Sequence, residues 1–269
     1  MRNNKISLLL TLLITTSLFG RVADKFKIDI GSMYVTNYET NMQIGREGIP
    51  IGAKINTDDQ LGLNNQTRVL RIDGHYRFTD VHSIDFSYFG VKSDSKNYVE
   101  KEFEWDGNRL SDVMVGSYFN MDIYKVNYAY SFYHNDRVEL SLIAGLHITA
   151  IELGLSASGK INDEPNEKFS SGADVTVPLP VFGFKAGYAI IPEKLFVHYK
   201  AEYLYLQFDV YKGAFVNNTL SFEYHFLENY GVGLGFDSNT IVVETQNGSR
   251  KVDVENNLSG ISLFLTYFY

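Results

Sequence analysis

Residues 261–269 read ISLFLTYFY, and this segment at the end of the chain decides the fold class. Ile261, Leu263, Leu265, Tyr267 and Tyr269 occupy every second position, so an extended strand carries them all on one face. A water-soluble domain rarely exposes an apolar face tipped with aromatic rings. The segment therefore predicts a strand whose outer face meets lipid.

The composition agrees with a β protein at a membrane. The chain has 269 residues, of which 45% are hydrophobic, and this share excludes a disordered chain. It contains 19 Tyr and 19 Phe but one Trp. Tyr suits a surface that is apolar along the ring and wet at the hydroxyl. A Tyr-rich soluble β-sandwich has the same composition, so strand pattern and turns must discriminate.

Several classes of site are excluded by composition. The chain has no cysteine, which removes disulfides, thiolate metal sites and cysteine nucleophiles. It carries 32 acidic against 24 basic residues, and nucleic-acid binding needs a basic patch that this sequence lacks. We expect no nucleic-acid partner, no metal and no cofactor.

The N-terminus has the layout of a signal peptide. Arg2 and Lys5 precede a 14-residue apolar run, and small residues follow it in GRVAD. The run is shorter than the roughly 20 residues of a membrane helix. This layout favours a signal peptide over residues 1–22, cleaved at about 20–23, against an ordinary buried helix. The remainder, residues 24–269, is expected to form one domain.

From residue 24 onward the sequence shows strands rather than helices. Residues 70–78, 137–148 and 219–226 alternate apolar and polar side chains with period 2, and no 3.6-residue period stands out. The polar face of these strands is too charged for a packed core. Alternation of this kind also describes a half-buried sheet in water.

The spacing of turns favours a closed barrel. Short turns at 78–83, 133–137, 191–194 and 227–230 alternate with longer polar connections at about 40–66, 93–113, 160–175 and 245–253. Four hairpins, an opening strand over 24–38 and a closing strand over 254–269 give ten strands, an even number. We predict an all-β, antiparallel, up-and-down transmembrane barrel of ten strands, with eight strands as the alternative.

Two strands change the parity of their apolar residues. In 119–132 the apolar set moves from odd to even positions, and in 145–156 it moves from even to odd. A β-bulge produces a one-residue slip of this kind. We therefore predict bulges near 123–124 and 149–151, in strands that project beyond the membrane on the outer side.

These features together resemble a Gram-negative outer-membrane β-barrel protein. The terminal segment is similar to the signal that such proteins present to the barrel-assembly machinery, with Tyr269 where Phe is usual. Residues 55–78 and 82–89 resemble a sub-group of small barrels with no assigned chemistry. The resemblance implies a monomer in the bacterial outer membrane, with outer-membrane lipids, lipopolysaccharide and the assembly machinery as partners. It implies no particular activity.

Charged residues of both signs fall on the polar face of the predicted strands. In a narrow barrel such residues fill the lumen, so we expect them to form ion pairs, with a narrow solute path as the alternative. The predicted lumen-lining set is Arg71, Asp73, His75, Arg77, Asp85, Asp122, Lys125, Glu139, His147, Lys185, Lys200, Glu202, Glu223 and His225.

The signals for catalysis are weak. His75, His198 and His225 fall near the short turns, where a metal or acid–base site is conceivable, but a hydrogen-bonded network explains them equally. No G-x-S-x-G motif occurs, since GLSASG at 154–159 misses that spacing. No catalytic residue is predicted.

The function that follows is a structural protein or a narrow porin-like channel for small solutes. In a channel, Arg71, Asp73, Arg77, Glu139, Lys185, Lys200 and Glu223 would set selectivity. A membrane-embedded enzyme acting on lipid or peptide is one alternative. A surface adhesin is another, because acidic residues Glu100, Glu102 and Glu104 flank Trp105 in a predicted outer loop.

Overall fold

The computed structural model describes residues 24–46, 55–56, 68–105, 107–208, 211–247 and 250–269, and the elements in these ranges are all β-strands. The strands are β1 (Phe26–Arg46), β2 (Ile55–Asn56), β3 (Arg68–Arg77), β4 (His82–Val99), β5 (Phe103–Trp105), β6 (Asn108–His134), β7 (Val138–Ile161), β8 (Glu164–Ile191), β9 (Leu195–Phe208), β10 (Tyr211–His225), β11 (Tyr230–Asn247) and β12 (Arg250–Phe268). None of the described residues forms a helix long and apolar enough to cross a membrane. The predicted signal peptide lies outside the described residues.

Ten of these strands form a closed antiparallel ring. The order is β1, β3, β4, β6, β7, β8, β9, β10, β11 and β12, and β12 pairs back onto β1 from Lys27↔Phe268 to Arg46↔Arg250. The short strands β2 and β5 lie off this ring, on β1 and β6. The predicted ten-stranded, up-and-down antiparallel fold is confirmed.

The connections at the two ends of the ring differ. The four predicted short turns join strands at one end, which we call the lower end, together with residues 24 and 269. The longer connections predicted at 93–113, 160–175 and 245–253 are wrong, because β4, β6, β8, β11 and β12 run through most of these ranges. In the predicted connection 40–66, residues 47–54 and 57–66 lie outside the described residues.

The predicted bulges at 123–124 and 149–151 are also wrong. Pairing between β6 and β7 is continuous there, and the register shifts lie at Ser111/Val113 and Ser131/Tyr133. Odd-numbered side chains of β6 face inward from Val113 to Ser131, so Phe119 and Lys125 point into the same lumen. The apolar set changes sides without a bulge. Near the lower end the apolar residues of β6 face outward, as Val126 does, and farther up they face inward, as Phe119 does.

The upper half of the barrel opens into two sheets. Pairing of β8 with β9 stops at Phe182↔Tyr203, and pairing of β3 with β4 stops at Arg71↔Phe89. Above these points, within the described ranges, β4, β6, β7 and β8 form one sheet, and β9, β10, β11, β12 and β1 form the other. Their inner faces share one buried apolar cluster that includes Val115, Phe119, Phe215 and Ile241. This packing is that of a β-sandwich.

Candidate functional site in the barrel lumen

The lower half of the lumen is filled by ion pairs that cross between strands. The Lys125 ammonium on β6 donates to the Glu202 carboxylate on β9 at 2.9 Å. Arg77 on β3 contacts Glu139 on β7, and Lys27 on β1 contacts Glu223 on β10. Each pair ties together strands far apart in sequence, and each side chain is largely withdrawn from water.

Two further clusters each contain three residues with charged or titratable side chains. The Asp85 carboxylate lies 2.9 Å from the Lys185 ammonium and 2.5 Å from Nδ1 of His75. The Arg71 guanidinium lies 2.5 Å from both Asp73 and Asp237. Among the lumen cations of the described strands, Lys200 differs in that no carboxylate lies within ion-pairing distance of its ammonium.

The histidines at the lower end contact carboxylates and aromatic rings. His225 lies 2.6 Å from Glu223, and its ring stacks on Phe268 with centroids 3.8 Å apart. His198 lies 4.0 Å from the same carboxylate, whereas His75 contacts Asp85 instead. In the described part of the chain, no group of three or more His, Asp or Glu side chains is arranged to hold a metal ion.

A polar cavity of about 160 Å³ lies within this network. Its lining includes Lys27, Asp73, Lys185, His198 and Lys200. Charges of both signs surround it, so it suits water or a small polar solute. It lies below the apolar cluster of the upper half.

The lumen changes character above the layer of Lys125 and Glu202. Phe119, Met121 and Phe215 point into it and are almost completely buried. They belong to the cluster shared by the two upper sheets. In the described part of the chain, the upper lumen is therefore lined mainly by apolar side chains.

Thirteen of the fourteen charged residues predicted to line the lumen lie on the inner face of their strands. Asp122 is the exception and that prediction is wrong. Its neighbours Met121 and Ile123 are buried inside, whereas Asp122 faces outward and accepts a hydrogen bond of 2.9 Å from the Tyr88 hydroxyl. The expected bulge placed it on the wrong face.

Three charged residues of the lumen are missing from the set predicted from the sequence. Lys27 and Asp29 lie in β1, whose alternation is imperfect, and Asp237 follows the inward glycines of β11. Alternate residues of a strand face the same side, so the inward positions of Gly233 and Gly235 predict that Asp237 also points inward.

The outer face of the lower half is an apolar belt. Ile261, Leu263 and Leu265 are exposed on it, as are Phe86 on β4 and Val126 on β6. Tyr and Phe are frequent in the belt, including Tyr76, Tyr128, Tyr130, Tyr188, Tyr224 and Tyr230. Higher on the same outer wall, Lys92, Asp94 and Glu152 are exposed. A belt of this kind is the surface that a barrel presents to lipid.

Comparison with known proteins supports the same fold. No protein-family model and no curated protein matches the sequence. The structure is similar to the outer membrane protease OmpT from Escherichia coli, with a TM-score of 0.57 and 11% identity over 95% of this chain and 100% of that chain. This chain has the fold of an outer-membrane β-barrel. This fold, together with the apolar belt, is that of a protein of the bacterial outer membrane.

The structure is less similar to several other outer-membrane proteins. They include the toluene transporter TodX of P. putida, with a TM-score of 0.38 and 7% identity over 92% of this chain and 91% of that chain. They also include the outer membrane protein OprG from Pseudomonas aeruginosa, with a TM-score of 0.35 and 12% identity over 94% and 100%.

Proposed function

We propose that this protein is a closed structural barrel of the outer membrane, which anchors a β-sandwich on the cell surface. The observation that carries the proposal is the apolar cluster across the upper lumen. Phe119, Met121 and Phe215 lie directly above the charged network and are almost completely buried. An ion leaving the polar cavity would have to lose its water shell to pass them.

The charged network favours the same function. Arg77 with Glu139 and Lys125 with Glu202 neutralise one another across the lumen. Selectivity rings in channels leave their charges available to the passing ion. In this proposal the lumen charges brace the wall between distant strands.

Planar-bilayer recording tests the proposal. The purified barrel should insert without discrete conductance steps, and Arg77→Ala should be equally silent because the closure lies in the upper half. Discrete steps in the wild-type protein, with ion selectivity changed in Arg77→Ala, would refute the closed barrel and support the charge-lined channel. An open porin of known conductance, inserted by the same protocol, is the control for insertion.

A surface-binding role is the second candidate, favoured by the tips of the upper sheets. Glu100 and Glu102 are exposed between β4 and β5. At the neighbouring tip, Asp163 pairs with Arg109 at 2.8 Å and Lys160 at 3.4 Å, so part of the acidic charge is already neutralised. Attachment of cells to a cationic surface should fall in Glu100→Gln/Glu102→Gln and persist in Asp163→Asn. Equal attachment in all three strains would remove this candidate.

The membrane-embedded enzyme remains a prediction from sequence. Comparing the lipid A and phospholipid profiles of cells with and without the protein tests it.

A further inference from the structure

The wall of the barrel has a seam between β8 and β9. The last pair of their ladder is Phe182↔Tyr203, yet β8 continues to Glu164 and β9 continues to Phe208. Above this pair β8 bonds only to β7, and β9 bonds only to β10, among the described residues. Phe182 and Tyr203 are 64% and 60% exposed, and they lie on the apolar belt. The seam therefore begins at the upper edge of the apolar belt.

Two prolines keep the seam unpaired. Pro178 and Pro180 lie in β8 just above its last pair with β9, opposite Ile148 and Leu146 of β7. Proline has no amide hydrogen to donate and is confined to edge strands within sheets. The wall is closed there by packing instead. Leu179 lies against Gly213 of β10, where an added Cβ would be 2.7 Å from Cδ2 of Leu179.

An unpartnered imidazole lies directly behind this closure. His147 on β7 is the cross-strand neighbour of Leu179, and its side chain is completely buried. Neither ring nitrogen of His147 has a hydrogen-bond partner among the described residues, and the same holds for the hydroxyl of Thr149. The Phe215 ring lies 4.0 Å from the His147 ring, centroid to centroid. Buried polar groups without partners are rare in folded proteins and call for an explanation.

We propose that His147 and Thr149 form a buried binding site for a small, largely aromatic or aliphatic molecule with one hydroxyl group, which reaches it laterally through the β8–β9 seam. The apolar part of the molecule replaces Leu179 against Phe215. Its hydroxyl exchanges hydrogen bonds with the imidazole and the Thr149 hydroxyl, since each of these groups can donate and accept.

The surroundings select this chemical class. The only charged group beside the site that faces the imidazole from β6 is Lys125, and it is already paired with Glu202. A pure hydrocarbon would leave both polar groups unsatisfied. A neutral hydroxyl satisfies them without adding charge.

Nuclear magnetic resonance of the barrel, ¹⁵N-labelled at histidine in lipid nanodiscs, tests the site with phenol and toluene as probes. Phenol should shift the ring nitrogens of His147 in a saturable way, and toluene, which lacks the hydroxyl, should not change their hydrogen-bonding state. Thr149→Val keeps the shape of the side chain and should weaken phenol binding about tenfold. His147 resonances that do not respond to phenol, or an unchanged affinity in Thr149→Val, would overturn the site.

A cross-link tests the lateral route. The chain has no cysteine, so Pro180→Cys/Tyr205→Cys introduces one pair on the two edges just above the last β8–β9 pair. The oxidised variant should respond to phenol at least tenfold more slowly than the same variant after reduction. Equal rates in the two states would refute access through the seam. These outcomes are independent of the conductance test, which concerns passage along the barrel axis.

Discussion

Burying a charged side chain in the lumen costs little free energy when an opposite charge pairs with it, and much more when it has no partner. Arg77 and Glu139 have side-chain exposures of only 8% and 7% and contact each other across the lower lumen. Their attraction must offset the loss of hydration of both ions, so the pair adds little net stability. Removing one partner of the pair should therefore cost more stability than the intact pair contributes.

Glu139→Leu should lower the free energy of unfolding by about 3–5 kcal/mol, because it leaves the Arg77 guanidinium buried without a counter-ion. Urea unfolding in lipid vesicles, followed by tryptophan fluorescence or circular dichroism, measures this. Asp163→Ala is the matched control, since the Arg109–Asp163 pair is 57% and 60% exposed and should contribute less than about 1 kcal/mol. The double variant Arg77→Met/Glu139→Leu should recover most of the loss. A double variant as unstable as Glu139→Leu would show that packing, not charge, causes the effect.

The unpartnered imidazole gives the opposite expectation. His147→Leu removes a completely buried polar group that has no hydrogen-bond partner in the described structure, so it should raise the free energy of unfolding by about 1–3 kcal/mol. The same urea titration measures the change. His225→Leu is the contrasting variant. Because His225 is hydrogen-bonded to Glu223, its replacement should lower the free energy of unfolding. A destabilised His147→Leu would mean that the imidazole is satisfied in solution.

At the scale of elements, glycines shape the contact between β11 and β12. Gly233 pairs with Phe264, and a Cβ added at Gly233 would lie 2.1 Å from Cζ of the Phe264 ring. The glycine is needed for space rather than for an unusual backbone conformation. This agrees with the pattern GVGLGF at 231–236, in which inward glycines leave room for a bulky neighbour.

Gly233→Val should destabilise the barrel by about 1–3 kcal/mol, because the Phe264 ring has to leave its position. Phe264→Ala should relieve the clash, so Gly233→Val/Phe264→Ala is expected to be more stable than Gly233→Val alone. Thermal unfolding of the three variants in one detergent provides the comparison. Additive losses in the double variant would exclude the steric explanation.

At the scale of the whole molecule, the barrel consists of two halves with opposite polarity. The lower half has charges inside and an apolar belt outside, with Lys125 and Val126 as adjacent examples on β6. The upper half has an apolar inside and a polar outside, with Phe119 and Asn120 on the same strand. Each half follows its surroundings: lipid around the first and water around the second.

In the proposed function the upper half faces the cell exterior, and cysteine labelling of intact cells tests this orientation. Glu100 and Asn135 are both exposed, at the upper and the lower end. Glu100→Cys should react with a membrane-impermeant maleimide in intact cells, and Asn135→Cys only after lysis, because the sequence has no other thiol. Labelling of Asn135→Cys alone in intact cells would invert the proposed orientation.

The sequence by itself determined the strand character, the outward apolar face of 261–269 and the number of strands. Alternation and turn composition are local properties, so four short turns at the lower end sufficed to count ten strands. Most lumen charges also followed from period 2. The parity rule failed for Asp122, because an apolar residue marks the lipid side in one half and the interior in the other.

Tertiary structure decided the rest, for a physical reason. Which face of a long strand is buried depends on what lies beyond it, and this cannot be read from the strand itself. The pairing of Lys125 with Glu202, the apolar closure around Phe215 and the seam beside Leu179 each join residues that are distant in sequence. Only the closed ring, with lipid around its lower half and water around its upper half, brings them together.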